Sequence, residues 1–515
     1  MHAVVLLAWC LLGAVWAIAE TLLIKGGTVV NAEHQLAADV LIADGLIQAV
    51  GRDLQAPANA RTINAAGKLV MPGGIDPHTH LDAHMMGTIS CDDFYSGQAA
   101  ALAGGTTMHI DFALPSNGDL AAGFARYQAA AAKSVMDYSF HMAVTSWDDK
   151  VAADMGELAA AGINSFKFFL AYKGVFAVTD AQLLQGLARC KELGALPMVH
   201  CENADALVDA QERVFASGVT GPEGHYLSRP AVFEDEGTAR ALRLAEYVNV
   251  PLYVVHVMSG GAADEVARAR RGGQRVVGEA VASGFASEER MVWDADFRVA
   301  AQYVMSPPIR SPEHQRRLKA ALAGGMLGVV ATDHAPFNSS QKRLGLGDFR
   351  KIPNGVNGIE ERLHVTWDAL VATGLITPSD FVRLTSAAAA HAFNIYPRKG
   401  VLAPGSDADV IIFDPAAEHV LSAASHHSRM DTNIYEGRTV RGKVETTISQ
   451  GRAVWEGGAL KVRPGAGRFI ALPTGGPLFD GLDRLDASYQ HRNFPYGATP
   501  VKRAAPGETK SRDEL

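Results

Sequence analysis

His78 and His80, in GGIDPHTHLD, are the first residues along the chain whose spacing suits chemistry. On a strand, side chains at i and i+2 share a face, so both imidazoles can reach one metal ion. Single histidines close two later apolar runs, His200 in MVHCEN and His256 in YVVHVMS, and Asp333 closes another in ATDHAPF. Each alone has a plain structural role, as a core or rim histidine or as an aspartate capping a helix. Lys167, inside the apolar INSFKFFLAYKG, is harder to place. A buried ammonium is costly or loses its proton, unless the side chain snorkels to the surface from a strand end.

Weighed jointly, a lysine, a carboxylate and four histidines at the ends of separate runs are better explained by convergence than by coincidence. Cationic lysine has donors and no acceptor, so it is a poor ligand. Its neutral amine can take up carbon dioxide as a carbamate, whose two oxygens would bridge two divalent ions. Lys167 is therefore expected as a carboxylated lysine.

Such convergence needs elements that bring distant residues to one rim. Strand-like runs alternate with Ala-rich helical patterns, the sign of βα units and a parallel sheet. The runs GKLVMPGGIDPHTH, TTMHIDFALP, YSFHMAVTSW, INSFKFFLAY, LPMVHCEN, VPLYVVHVMS, QRVVGEAVAS and GVVATDHAPF are eight, the number of a (β/α)₈ barrel. Their polar residues gather at the carboxyl ends, where barrel enzymes place their chemistry. The flanks differ: short alternating strands with Gly turns occur before the barrel and return after it. They are expected to pair into one small β-sandwich. The predicted division is a leader over 1–19, sandwich over 20–70, barrel over 71–399, sandwich over 400–472 and an extended tail over 473–515.

A net charge of −8 argues against nucleic acid or an anionic membrane surface as the main partner. Four scattered cysteines do not make a disulfide framework or a thiolate zinc site. The first twenty residues have an apolar core and AIA before Glu20, the pattern of a secretory signal cut after Ala19. The C-terminal RDEL resembles an endoplasmic-reticulum retrieval signal. Together they predict the secretory pathway and the lumen of the endoplasmic reticulum, with no stable membrane insertion after cleavage. Asn338-Ser339-Ser340 is the one evident glycosylation sequon and is expected to be unused.

GGIDPHTHLD, GINSFKFFLAYKG, VHCEN, VHVMS, SPPIR, TDHAPF and IPNGVNGIEERL together resemble the dihydropyrimidinase and hydantoinase family, cyclic amidases of the amidohydrolase superfamily. The resemblance runs from about Thr21 to about Leu472. It implies two Zn²⁺ per subunit, with His78, His80 and Asp333 on the more buried ion, His200 and His256 on the other, and carboxylated Lys167 between them. It further implies Tyr172 as the donor to the oxyanion, Asp333 as the proton carrier, and Ser306 and Asn354 as backbone contacts for an imide or ureide edge. The implied reaction is ring opening of dihydrouracil and dihydrothymine, with a small-molecule substrate and a homotetrameric assembly. Hydantoins, or other cyclic imides and ureides, are the alternative substrates. A non-catalytic relative like the collapsin response mediators would lack metal ligands, whereas all six positions are filled here. His84 and His109 depart from the family pattern and are expected to face solvent and to pack in the barrel, respectively.

Overall fold

The computed structural model describes residues 20–484, 486 and 487. Its centre is a parallel sheet of eight strands: Gly74–Thr79, Thr106–Ala113, Asp137–Ala143, Ser165–Phe169, Leu196–His200, Leu252–Val254, Val276–Val281 and Val329–Ala331. Each pairs in parallel with the next in sequence. The first and last meet through the bridge Thr79–His334, and Thr332 Oγ1 donates to the His78 carbonyl at 3.1 Å. The result is a nearly closed (β/α)₈ barrel. Fully buried strands of this kind read as continuous apolar runs, and that is how the sequence marks them.

Ile75, Met108, Ile110, Phe112, Met198, Tyr253 and Val255 fill the barrel and meet Phe393, which ends the helix Ala388–Ala392. Phe112 forms the floor beneath the mouth; its ring centroid lies 4.5 Å from that of His78 and 4.5 Å from Lys167 Nζ. Truncating such a ring to Ala costs about 3–5 kcal/mol. Covering helices carry ordinary end signals. Asp180–Leu193, for example, begins with a capping box between Thr179 and Gln182 and ends on left-handed Gly194.

The terminal flanks join in one nine-stranded sheet. Leu69–Pro72 pairs in parallel with Leu22–Val30 and antiparallel with Val410–Val420, so strands from both flanks lie side by side. The run read as the first barrel strand therefore divides. Leu69–Pro72 belongs to this outer sheet, and the barrel strand starts at Gly74. The break at Gly73 has a steric reason, since a Cβ there would lie 2.1 Å from Thr107 Oγ1. The described part of the tail packs back on the barrel. Arg275 donates to the Leu478 carbonyl at 2.7 Å, and Asp486 accepts from Lys191 and Asn249 at 2.7 Å each. Among the described residues, Cys91, Cys190 and Cys201 form no disulfide. Among the described residues, no helix is long and apolar enough to cross a membrane.

Candidate active site

Every ligand-type residue singled out in the sequence reaches the carboxyl-terminal mouth of the barrel. His78, His80, Lys167, His200, His256 and Asp333 line one cleft, together with Tyr172, Ser306 and Asn354. His78, His80 and Asp333 place one ligand atom each within 4.8 Å of one another. Asp333 Oδ1 lies 3.2 Å from His78 Nε2 and 3.0 Å from His80 Nε2. The His200 and His256 rings stand 4.4 Å apart across the same opening, and His256 is 5.3 Å from His78.

Three of these positions have backbones that non-glycine residues rarely adopt. Tyr172, His256 and Asp333 have φ of 65°, 35° and 52°. Each follows the end of a barrel strand, where a left-handed residue bends the chain and turns its side chain toward the mouth. Such conformations cost on the order of 1–3 kcal/mol each and persist where the surroundings enforce them. At His256 the enforcing contact is visible: its N–H donates to Glu279 Oε1 at 2.8 Å.

The electrostatics favour a cation between His78 and Asp333. Burial opposes charge on His78, but Glu279 and Asp333 outweigh it and raise His78 to about 9. Burial would raise the Asp333 carboxyl, yet His78 and His80 hold it well below the ordinary range. Lys167 behaves in the opposite way. It is 1 % exposed, and burial pushes its amine down to about 8 against the attraction of Glu279 and Asp333. Among the described residues, no carboxylate lies within 4 Å of Lys167 Nζ, which instead faces the Phe112 and Phe169 rings. An amine of lowered pKa, without a counter-ion, is the form that can react with carbon dioxide.

The residues present fit a metal centre. His80 Nδ1 is buried with no hydrogen-bond partner, and Asp333 and the histidines supply an N/O donor set suited to Zn²⁺ or a similar ion. Carboxylates behind the histidines fix their tautomers, as at metal sites generally. Glu279 Oε1 accepts from His78 Nδ1 at 2.7 Å and Glu202 Oε2 from His200 Nε2 at 2.8 Å. A metal ion taking the place of the His78 proton would then meet His78 Nε2 and His200 Nδ1 as the electron-pair donors.

Glu279, Glu202 and His334 were missed in the sequence. Glu279 lies in VVGEAV and carries the same signal as Lys167, an ionisable group inside an apolar strand. His334 follows Asp333, donates from Nε2 to Asp92 at 3.0 Å, and its carbonyl accepts the His80 N–H at 2.9 Å. The walls hold Met85, Met86, Leu114 and Phe176. Of the two departures from the family pattern, His84 is exposed. His109 is buried, bonded to Thr79 at 2.8 Å and to Gln98 at 2.9 Å. Neither lines the cleft.

The amidohydrolase family model matches residues 69–454. The chain is 58 % identical over 469 residues to a dihydropyrimidinase of Arabidopsis thaliana, covering 91 % of this chain and 88 % of the relative. It is 48 % identical over 511 residues to the dihydropyrimidinase of Rattus norvegicus, covering 96 % and 97 %. The solved D-hydantoinase of Bacillus sp. AR9 superposes with a TM-score of 0.86 at 42 % identity, covering 88 % of this chain and 99 % of that one.

These comparisons correct the expected localisation. The chain aligns with dihydropyrimidinases over 91 % and 96 % of its length, and this kinship gives no support to assignment to the secretory pathway and the endoplasmic reticulum lumen, which does not stand. The features behind it were physically thin. The apolar N-terminal run carries only His2 and the free amine as positive charge, and a four-residue ending specifies little by itself. The residues concerned, 1–19 and the RDEL end, lie outside the described residues. With barrel, mouth and relatives in agreement, the chain belongs to the amidohydrolase family, within its dihydropyrimidinase and D-hydantoinase branch.

Proposed function

We propose that this cyclic amide hydrolase opens 5,6-dihydrouracil to N-carbamoyl-β-alanine and dihydrothymine to its methylated homologue. The observation that carries the reading is the convergence of His78, His80, Lys167, His200, His256 and Asp333 on one cleft. His78, His80 and Asp333 would hold one zinc ion and His200 and His256 a second, with Lys167, as a carbamate, a ligand shared by both. Bound zinc supplies an activated water near neutral pH and a Lewis acid for the carbonyl oxygen.

The chain's own groups do the rest. Asp333 takes the proton of the attacking water on its carboxylate and delivers it to the departing ring nitrogen. Burial raises the Tyr172 phenol above its ordinary value, so it stays a neutral donor and hydrogen-bonds the oxygen that gains charge. Ser306 and Asn354, joined by a 2.8 Å bond from Asn354 Nδ2 to Ser306 Oγ, hold the ureide edge with backbone groups. Met85, Met86, Leu114 and Phe176 exclude bulk water around the ring. The working assembly is a homotetramer.

The likeness to a solved D-hydantoinase favours a second reading, in which five-membered hydantoins are the better substrates. Loss of ultraviolet absorbance on ring opening separates the two, measured with zinc- and bicarbonate-supplied protein on dihydrouracil and hydantoin side by side. Faster dihydrouracil turnover that vanishes in Lys167→Ala supports the first reading. Turnover of hydantoin alone supports the second, and turnover of neither by protein containing two metals per chain moves the substrate elsewhere among cyclic amides.

A further inference from the structure

Lys342 is 2 % exposed, and among the described residues no carboxylate pairs with it. Its Nζ donates to three backbone carbonyls, of Val304 at 2.9 Å, Pro353 at 2.7 Å and Gly355 at 2.7 Å. Two of these flank Asn354, and Val304 stands two residues before Ser306. The Val304 carbonyl also accepts the Gly355 N–H at 2.9 Å, so one oxygen joins both loops to the ammonium. We infer that Lys342 is a positioning residue for the substrate pocket, fixing from behind the two loops that carry Ser306 and Asn354.

Burying an ammonium without a counter-ion is unfavourable, and an apolar side chain would fill the same space without that penalty. What an apolar side chain cannot do is satisfy three carbonyls at once, whereas the three N–H donors of a lysine match them one to one. The surroundings hold Lys342 in place. It ends the short helix Ser339–Lys342, whose start is capped by Asn338 Oδ1 accepting from the Gln341 N–H at 3.0 Å. Gln341 Nε2 donates to Thr88 Oγ1 at 2.8 Å, in the hairpin that carries Met86. The Asn354 N–H points at Met86 Sδ, 3.1 Å away. One short segment thus ties together three walls of the cleft. His225 also faces these loops, its Nε2 donating to the Met305 carbonyl at 2.7 Å, and Tyr172 meets Ser306 from the cleft side. The Phe337 ring, 5.9 Å from Nζ, closes the remaining side.

The inference rests on Ser306 and Asn354 as the residues that hold the substrate edge, and the test separates the two. Lys342→Met removes all three donors, and Lys342→Gln keeps two. For the full-length, metal-loaded protein, KM and kcat for dihydrouracil are measured alongside bound metal and hydrogen exchange of peptides spanning 303–307 and 352–356. Lys342→Met is expected to raise KM about tenfold while kcat falls less than threefold, with metal content unchanged and exchange faster in both peptides. Lys342→Gln is expected to raise KM about threefold, and it carries the test if the Met variant does not fold. Unchanged KM and unchanged exchange in either folded variant overturn the inference. Faster exchange with KM unchanged overturns the role of Ser306 and Asn354 instead, leaving Lys342 as the anchor of the loops.

Discussion

At the mouth of the barrel Lys167 stands among His78, His80 and Asp333; at the opposite end Lys399 stands among Asp137, Asp407 and Asp409. In each region three ligand-type atoms lie within 4.8 Å of one another, so proximity alone does not tell them apart. Saturation does. Lys399 Nζ reaches Asp137 at 2.7 Å and Asp407 at 3.0 Å, and also contacts Asp409. Arg468 adds a pair with Asp137 at 2.8 Å, and the Gln450 N–H donates to Asp409 at 2.9 Å. Burial opposes the charge on Lys399, but its three carboxylates raise it above the ordinary lysine value. Lys167 is pushed the other way and has no such partner, while His80 Nδ1 is left without one. A cluster that already contains its own cation is a brace between the barrel and the segments that form and follow the outer sheet. One with donors to spare is a place for something not encoded in the chain.

This contrast can be broken most sharply at Lys167. Lys167→Ala should cut turnover by roughly 10³-fold or more and lower bound metal, because the proposed carbamate ligand is gone. Its melting temperature should change little, and retention of full activity with two metals would remove the carbamate from the account. Asp333→Asn should be of similar size in kcat, with the fold kept, since it removes the proposed proton carrier rather than a brace; near-normal activity would end that assignment.

Lys399→Met is expected to reverse the pattern. Removing one partner from a buried charge network costs about 3–5 kcal/mol of stability, as denaturant unfolding would report. Activity per folded molecule should stay within about twofold, because Lys399 is remote from the reacting atoms. A large loss of kcat in stable protein would show that the two regions are coupled.

The smallest effect sharpens the comparison through pH. Asp92, which orients His334 behind the mouth, would be raised by burial, but His334, the Arg429 N–H and Ser428 together hold it down to about 2. A depressed carboxyl contributes stability that is present above its unfolded value near 4 and lost as pH falls toward 2. Relative to Asp92→Asn, the wild type should therefore lose about 2 kcal/mol more between pH 5 and pH 2. Parallel acid curves for the two proteins would show that Asp92 gives no charge-dependent support.

The alternation of apolar runs and helical patterns made the barrel legible, because fully buried parallel strands leave little choice of residue. Strand period placed His78 and His80 on one face, and the conflict between a charge and its apolar run marked Lys167. The same conflict marks Glu279, within VVGEAV, an ionisable group in an otherwise apolar strand. Lys342 gave no such sign. NSSQKRLG has the composition of an exposed turn, and only the fold buries its ammonium against three carbonyls. The boundary at Gly73 was hidden for a related reason, since LVMPGGID is continuous in hydropathy but is shared between two sheets.

What the sequence determined by itself was the set of donors and the strands that carry them, since local periodicity and burial preference act within a few residues. The tertiary structure decided which donors remain unsatisfied. Asp92 and His334 are 242 positions apart, and Asp137 and Lys399 are 262 apart. Whether a buried charge is neutralised depends on groups that chain connectivity does not bring together and only closure of the barrel does. The brace and the metal centre therefore look alike as lists of residues, and they separate once distances fix which charges are already paired.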